Sequence, residues 1–271
     1  HIERAGGTTL HHIFRNNYLS YLNLTPWHEW TNEKRAEFKC SDADFLLKWL
    51  PFTKGFGGHS TRCYTGYESI SRSQMQYVTF LRDPVSRYLS HFNYQNKVKG
   101  VRWKMDQFLA ESRFDNFVTC RIAGAPDVEL AKRYLKEKFS FVGLIEHFDE
   151  SLILMKNKLK TYSLKVTYEK KNASPNPNYK KESLLRSPEV RARIAQHNKL
   201  DTELYEFVRD ELYPSYVDDF TGDLDAEVSR LRSSNTGFKF SPTRRIVSIT
   251  YRWFLYRNLE YLAWKVSRVR E

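Results

Sequence analysis

Two short segments of this chain carry residue types suited to holding phosphate. The first is Arg4, Ala5, Gly6, Gly7, Thr8 and Thr9. Paired glycines let a backbone approach an anion, and the N–H groups of a helix starting there point at it. Arg4 adds a fixed positive charge, and the threonines add hydroxyl donors. The second segment runs from Arg82, after the apolar run Tyr77 to Leu81, to Ser90. Asp83 can cap the following helix and Pro84 suits its first turn, so a phosphate above that helix start can meet guanidinium and hydroxyl together. Alone, each segment also reads as an ordinary helix start. Together they suggest a nucleotide with phosphate at both ends. The GxxxxGK[ST] spacing of a Walker loop is absent.

The elements that must position these residues alternate. Leu10, Ile13, Phe14 and Tyr18 recur at helical spacing after the opening loop, and Gly55, Gly57 and Gly58 mark a loop ending at His59. Tyr77 to Leu81 reads as a buried strand, followed by a helix with Val85, Leu89 and Phe92 inward. Ala131 to Lys138 reads as a helix, Phe139 to Leu144 as a second buried strand and Asp149 to Leu159 as another helix. Leu164 to Tyr168 looks strand-like, Asn172 to Asn178 is a loop, and a single helix is expected from Pro188 to Leu212. The pattern predicts an α/β fold with a mostly parallel, doubly wound sheet of the phosphate-loop-like kind.

Near Thr221-Gly222-Asp223 the pattern changes, which divides the chain into a domain over 1–222 and an extension over 223–271. Ser233 to Pro242 is linker-like. Residues 244–270 form an aromatic, arginine-rich helical stretch with Tyr251, Leu255, Leu259, Leu262 and Val266 in one stripe. It suits packing on its own domain, or contact with a partner or a membrane surface.

The 271 residues are 41% hydrophobic and carry a formal net charge of +12, so the expected partners are anionic. No apolar run is long enough to span a membrane. Cys40, Cys63 and Cys120 form no zinc-type pair and no disulfide framework, although one disulfide and a free thiol would fit an oxidising compartment. Asn23-Leu24-Thr25 and Asn172-Ala173-Ser174 are glycosylation acceptors only in a secreted protein. Because a loop of the opening kind normally follows a buried strand, the sequence is expected to be a piece of a longer protein.

The two motifs resemble those of sulfotransferases that use 3′-phosphoadenosine-5′-phosphosulfate (PAPS), in particular the Golgi heparan sulfate 2-O and 6-O branch and its bacterial relatives. That family's opening His-Ile-Pro-Lys-Thr-Gly/Ala-Gly-Thr-Thr stands here as His1 to Thr9, with Glu3 in place of proline and Arg4 in place of lysine. Its second motif is reproduced by residues 81–90. Weaker echoes lie at Asn116 to Arg121, Phe141 to Leu152 and Asn198 to Tyr205. The resemblance implies that Arg4, Ala5, Gly6, Gly7, Thr8 and Thr9 hold the 5′-phosphosulfate, with Arg4 stabilising the leaving charge. It further implies that Arg82 and Ser90 hold the 3′-phosphate, and that the loop around Lys171 and Asn172 touches the nucleotide.

Transfer to a hydroxyl needs a proton acceptor, and histidine titrates near neutral pH. Of eight histidines, His59 follows Gly57-Gly58 ahead of the strand ending at Arg82. The resemblance places a catalytic base in such an element. Lys54 and Arg62 nearby are either orienters of an acidic acceptor or solvated charges. No metal is expected. The reading is a PAPS-dependent O-sulfotransferase acting on a carbohydrate, in a bacterial cytoplasm or a Golgi lumen. The alternatives are a non-catalytic basic protein that binds nucleotide or acidic glycan, and a P-loop kinase-like phosphotransferase, for which the loop lacks lysine and magnesium carboxylates. Nucleic acid has no supporting signature.

Overall fold

A computed structural model describes residues 1–24, 37–70, 75–97, 99–161, 163–169, 187–250 and 258. Seven helices and four strands cover the first part: α1 (Gly7–Asn17), β1 (Tyr21–Asn23), α2 (Cys40–Trp49), β2 (Gly55–Gly57), β3 (Tyr77–Leu81), α3 (Pro84–Lys97), α4 (Met105–Leu109), α5 (Phe117–Ala123), α6 (Val128–Glu137), β4 (Phe139–Leu144) and α7 (Phe148–Lys158). Helices Pro188–His197, Lys199–Phe207, Tyr213–Asp218, Leu224–Asn235 and Pro242–Thr250 follow. The protein is α/β. Among the described residues the strands form two separate parallel pairs, β1 with β2 and β3 with β4.

The β3–β4 pair is the scaffold of the site. Thr79 stands opposite Val142, Phe80 opposite Gly143 and Leu81 opposite Leu144. A parallel pair needs a crossover, which α3 to α6 supply. Both strands are apolar because both faces are covered. Phe80, Leu81, Phe141, Val142 and Leu144 join Leu10 and Ile13 of α1, Val118 and Ile122 of α5, and Leu152 and Leu154 of α7 in the main core. Burying each such side chain contributes about 1.5–3 kcal/mol. A second cluster packs Val85, Leu89 and Phe92 of α3 on Phe108, Phe114 and Ile194. A third packs Leu22 and Leu24 on Ala43, Leu46 and Tyr67.

Four local readings need correction. Leu164, Val166 and Tyr168 are buried in the main core but form no strand, because no strand among the described residues pairs with them. The helix expected over Pro188 to Leu212 breaks at Asn198, whose side-chain amide turns back to the Ile194 carbonyl at 2.8 Å, and it becomes a π-turn over Val208–Leu212. The glycine segment before His59 is partly a strand, since Gly55–Gly57 pairs with β1. Ser233 belongs to the helix Leu224–Asn235 rather than to a linker.

That helix starts where the sequence changes character: the Asp223 side chain accepts from the Ala226 N–H at 2.9 Å. Its Val228 and Leu231 lie in the main core with residues of 1–222. Of the aromatic stretch 244–270, most lies outside the described residues, as do His28, Lys171 and Asn172. No described helix is long and apolar enough to cross a membrane. Cys40, Cys63 and Cys120 are all free thiols.

Candidate phosphate and proton-transfer site

The two candidate phosphate turns meet at the carboxyl ends of β3 and β4, where open α/β sheets gather ligands. Gly6 adopts φ 73°, a left-handed conformation that suits glycine, and caps α1 without a side-chain bond. A Cβ there would come 2.5 Å from Ile145, the residue after β4, so the opening loop lies directly on the strand ends. The first N–H groups of α1, those of Gly7 and Thr8, have no carbonyl within the helix to bond and point out of its start. Thr8 is exposed beside them.

On the other strand end, Arg82 follows β3. Asp83 Oδ1 accepts from the Ser86 N–H at 2.8 Å and so caps α3 as the sequence predicts. The Glu146 carboxylate accepts from the Asp83 N–H at 2.9 Å and ties the two strand ends together. Ser90 is buried two turns into α3.

Arg4 joins the two turns. Its main chain belongs to the opening loop at φ 68°, and its carbonyl accepts from Arg82 at 3.3 Å. Its guanidinium leaves that loop, lies over the Tyr94 ring at 5.0 Å and donates to Ser90 Oγ at 3.0 Å. Burial, and next the charge of Arg82, lower the Arg4 pKa. Burial also lowers that of Arg82. Both remain cations at neutral pH. Two guanidinium groups so placed can both donate to one anion.

His59 reaches the site through close backbone approach. A Cβ on Gly58 would fall 1.8 Å from the Leu24 carbonyl oxygen, so only glycine lets the His59 loop lie against the end of β1. The His59 ring is half-exposed and lies tilted against that of His1 at a centroid distance of 4.1 Å. His1 in turn covers Gly7, where a Cβ would overlap its ring. One imidazole therefore separates His59 from the start of α1.

Around this pair stands a polar cluster that the sequence did not announce. Glu3 is buried, its Oε1 accepting from Arg121 at 2.7 Å and its Oε2 3.8 Å from His59 Nδ1. His11 Nε2 lies 2.5 Å from His1 Nδ1, and His11 Nδ1 lies 2.6 Å from the Tyr21 hydroxyl. Burial holds His11 well below the usual histidine range. Arg62, read from the sequence as an orienter of an acidic acceptor or a solvated charge, is neither. It is buried and donates to the His59 carbonyl at 2.5 Å and to the Thr61 carbonyl at 2.9 Å, bracing the loop. Lys54 is exposed.

The other described histidines have structural settings. His91 is buried among the Phe108, Phe114 and Phe117 rings, His12 stacks on Phe240, His147 lies by the Tyr213 ring and His197 meets Asp115 at 3.2 Å. No group of metal-binding side chains occurs among the described residues.

The weaker echoes serve the architecture. Asp201 accepts from the N–H groups of Val118 and Thr119 at 3.0 and 2.8 Å and from the Thr119 hydroxyl at 2.9 Å, capping α5 from another helix. Asn116 returns the bond by accepting from the Leu200 N–H at 2.9 Å. Arg87, in the second phosphate motif, is completely enclosed; it lies over the Phe117 ring at 4.9 Å and is compensated chiefly by the Asp201 charge.

No curated protein matches the chain. Residues 123–241, a little under half of the chain and downstream of both phosphate turns and His59, match the family model described as Galactose-3-O-sulfotransferase, which supports a place for this protein among the sulfotransferases.

Proposed function

We propose that the protein transfers the sulfuryl group of PAPS to a hydroxyl of a carbohydrate acceptor, on a phosphate-loop-like, doubly wound scaffold. The observation that carries this reading is the meeting of Arg4 and Arg82, each just before a helix on adjacent strand ends, with Ser90 two turns into the second helix. A single phosphate would need one such turn; two turns joined by one arginine suit a nucleotide with separate 3′ and 5′ phosphates. The match over 123–241 supports sulfuryl rather than phosphoryl chemistry.

In this reading Arg82, Ser90 and the Arg4 guanidinium hold the 3′-phosphate. The resemblance assigned Arg4 to the 5′ end. With its guanidinium on Ser90, that end falls to the N–H groups of Gly7 and Thr8 and the hydroxyls of Thr8 and Thr9. His59 takes the proton from the acceptor hydroxyl as its oxygen bonds to sulfur. The bond from sulfur to the bridging oxygen breaks, and 3′-phosphoadenosine-5′-phosphate leaves. The loop amides stabilise the charge that develops on the departing phosphate.

The matched family's description makes a galactose 3-hydroxyl the first acceptor to assay, beside heparan sulfate. Transfer of radiolabelled sulfate from PAPS to either glycan is expected, with thermal stabilisation by 3′-phosphoadenosine-5′-phosphate and none by ATP. Stabilisation by ATP alone would favour the phosphotransferase reading, and stabilisation by neither would favour a glycan-binding protein.

A further inference from the structure

We infer that Glu3 is a positioning residue for His59, an inference that rests on His59 acting as the general base. Glu3 occupies the position where the resembled family carries proline, so any service it performs belongs to this chain. It is buried, and a buried carboxylate without compensation is costly. Arg121, itself stacked over the Phe117 ring at 4.7 Å, compensates it by donating to Oε1 at 2.7 Å. That bond fixes the rotation of the carboxylate. The second oxygen is thereby aimed at His59, 3.8 Å from Nδ1.

A carboxylate on the Nδ1 side of an imidazole selects the tautomer with its proton on Nδ1. The Nε2 lone pair is then left to accept a proton, and the imidazolium that forms is stabilised. The backbone is braced from the other side, where Arg62 holds the His59 carbonyl. The ring is backed by His1. Charged and titratable groups around His59 are thus Glu3 and His1 from the opening segment, His11 from α1, Arg121 from α5 and Arg62 from its own loop. Glu3 is the one carboxylate among them, so it is the group that favours a protonated imidazole. A separation of 3.8 Å is long for a hydrogen bond, and catalytic bonds commonly tighten when substrate closes the site.

The test follows the His59 imidazole by nuclear magnetic resonance in the wild type and in Glu3→Gln, with His59→Asn assigning the signal. In the wild type the neutral ring should be the Nδ1–H tautomer; the Nε2–H tautomer there would overturn the inference without any Glu3 variant. In Glu3→Gln the His59 titration midpoint should fall by about one pH unit, as expected on removing one nearby charge. The turnover number should fall about 10- to 100-fold while KM for PAPS and the affinity for 3′-phosphoadenosine-5′-phosphate hold. Glu3→Asp should recover part of the turnover. An unmoved midpoint in folded Glu3→Gln, or loss of nucleotide affinity together with activity, would reduce Glu3 to a packing role. A wild type that sulfates no acceptor would instead sink the transferase reading, while the tautomer and the midpoint would still decide whether Glu3 and His59 are coupled.

Discussion

The Nε–H of Arg4 donates to Ser90 Oγ at 3.0 Å, across 86 positions of sequence. One side chain thus leaves the loop before α1 and bonds to α3. Arg82 closes the circuit by donating to the Arg4 carbonyl. A ligand that bridges the turns therefore meets groups already held by one another, which reduces the ordering cost of binding.

Arg82→Ala should weaken 3′-phosphoadenosine-5′-phosphate by about 10- to 100-fold, the worth of a charge-assisted pair to phosphate. Ser90→Ala should cost about 10-fold or less, as one neutral donor is lost. Isothermal titration calorimetry reads both, and wild-type affinity in Arg82→Ala would remove it from the nucleotide site.

His59→Ala should lower turnover by about 100- to 10,000-fold, the usual contribution of a general base. Nucleotide affinity should stay unchanged, because His59 lies beyond His1 from the start of α1. An unaltered rate in a steady-state sulfate-transfer assay would exclude it as base.

Asp201→Ala should destabilise the fold by about 1–3 kcal/mol, because the buried Val118 and Thr119 donors it serves lose their acceptor. It removes the cap of α5 and leaves the enclosed Arg87 guanidinium without its main compensating charge. Urea unfolding followed by far-ultraviolet circular dichroism measures this loss; a change below 1 kcal/mol would mean that the cap contributes little.

Acid should destabilise the protein through His11. Its folded pKa is lowered by burial, so the unfolded chain binds a proton that the native state refuses. Stability is full above the ordinary histidine value of about 6.5 and falls by about 1.4 kcal/mol per pH unit below it, until the folded pKa is reached. Thermal melts between pH 7 and pH 5 should show this slope, and His11→Gln should flatten it. An equal slope in the variant would assign the proton uptake elsewhere.

Cys63 should resist alkylation in the native state. Its buried thiol donates to the Ile122 carbonyl at 3.3 Å, and burial pushes its pKa up to about 11. Iodoacetamide at pH 8 should label it only after unfolding; rapid native labelling would show that α5 opens locally.

The sequence by itself determined whatever depends on neighbours three or four residues apart. The apolar stripe of α1, the Asp83 cap and the β3 and β4 runs all follow from local hydrogen bonding and burial periodicity, and each stands where the residues predict. Local rules failed where a partner element decides. Leu164 to Tyr168 has a strand's composition without a strand among the described residues to pair with, and Asn198 breaks a helix whose apolar stripe continues past it. The site divides the same way. Its two glycine- and arginine-bearing helix starts were legible as residue types. The turn of Arg4 toward Ser90, the burial of Arg62 and the approach of Glu3 to Arg121 across 118 positions were decided by the chain's path, because contacts between residues so distant carry no periodic signal in one sequence. Tertiary structure also changed the meaning of Glu3: a departure from a motif became a buried carboxylate between Arg121 and His59.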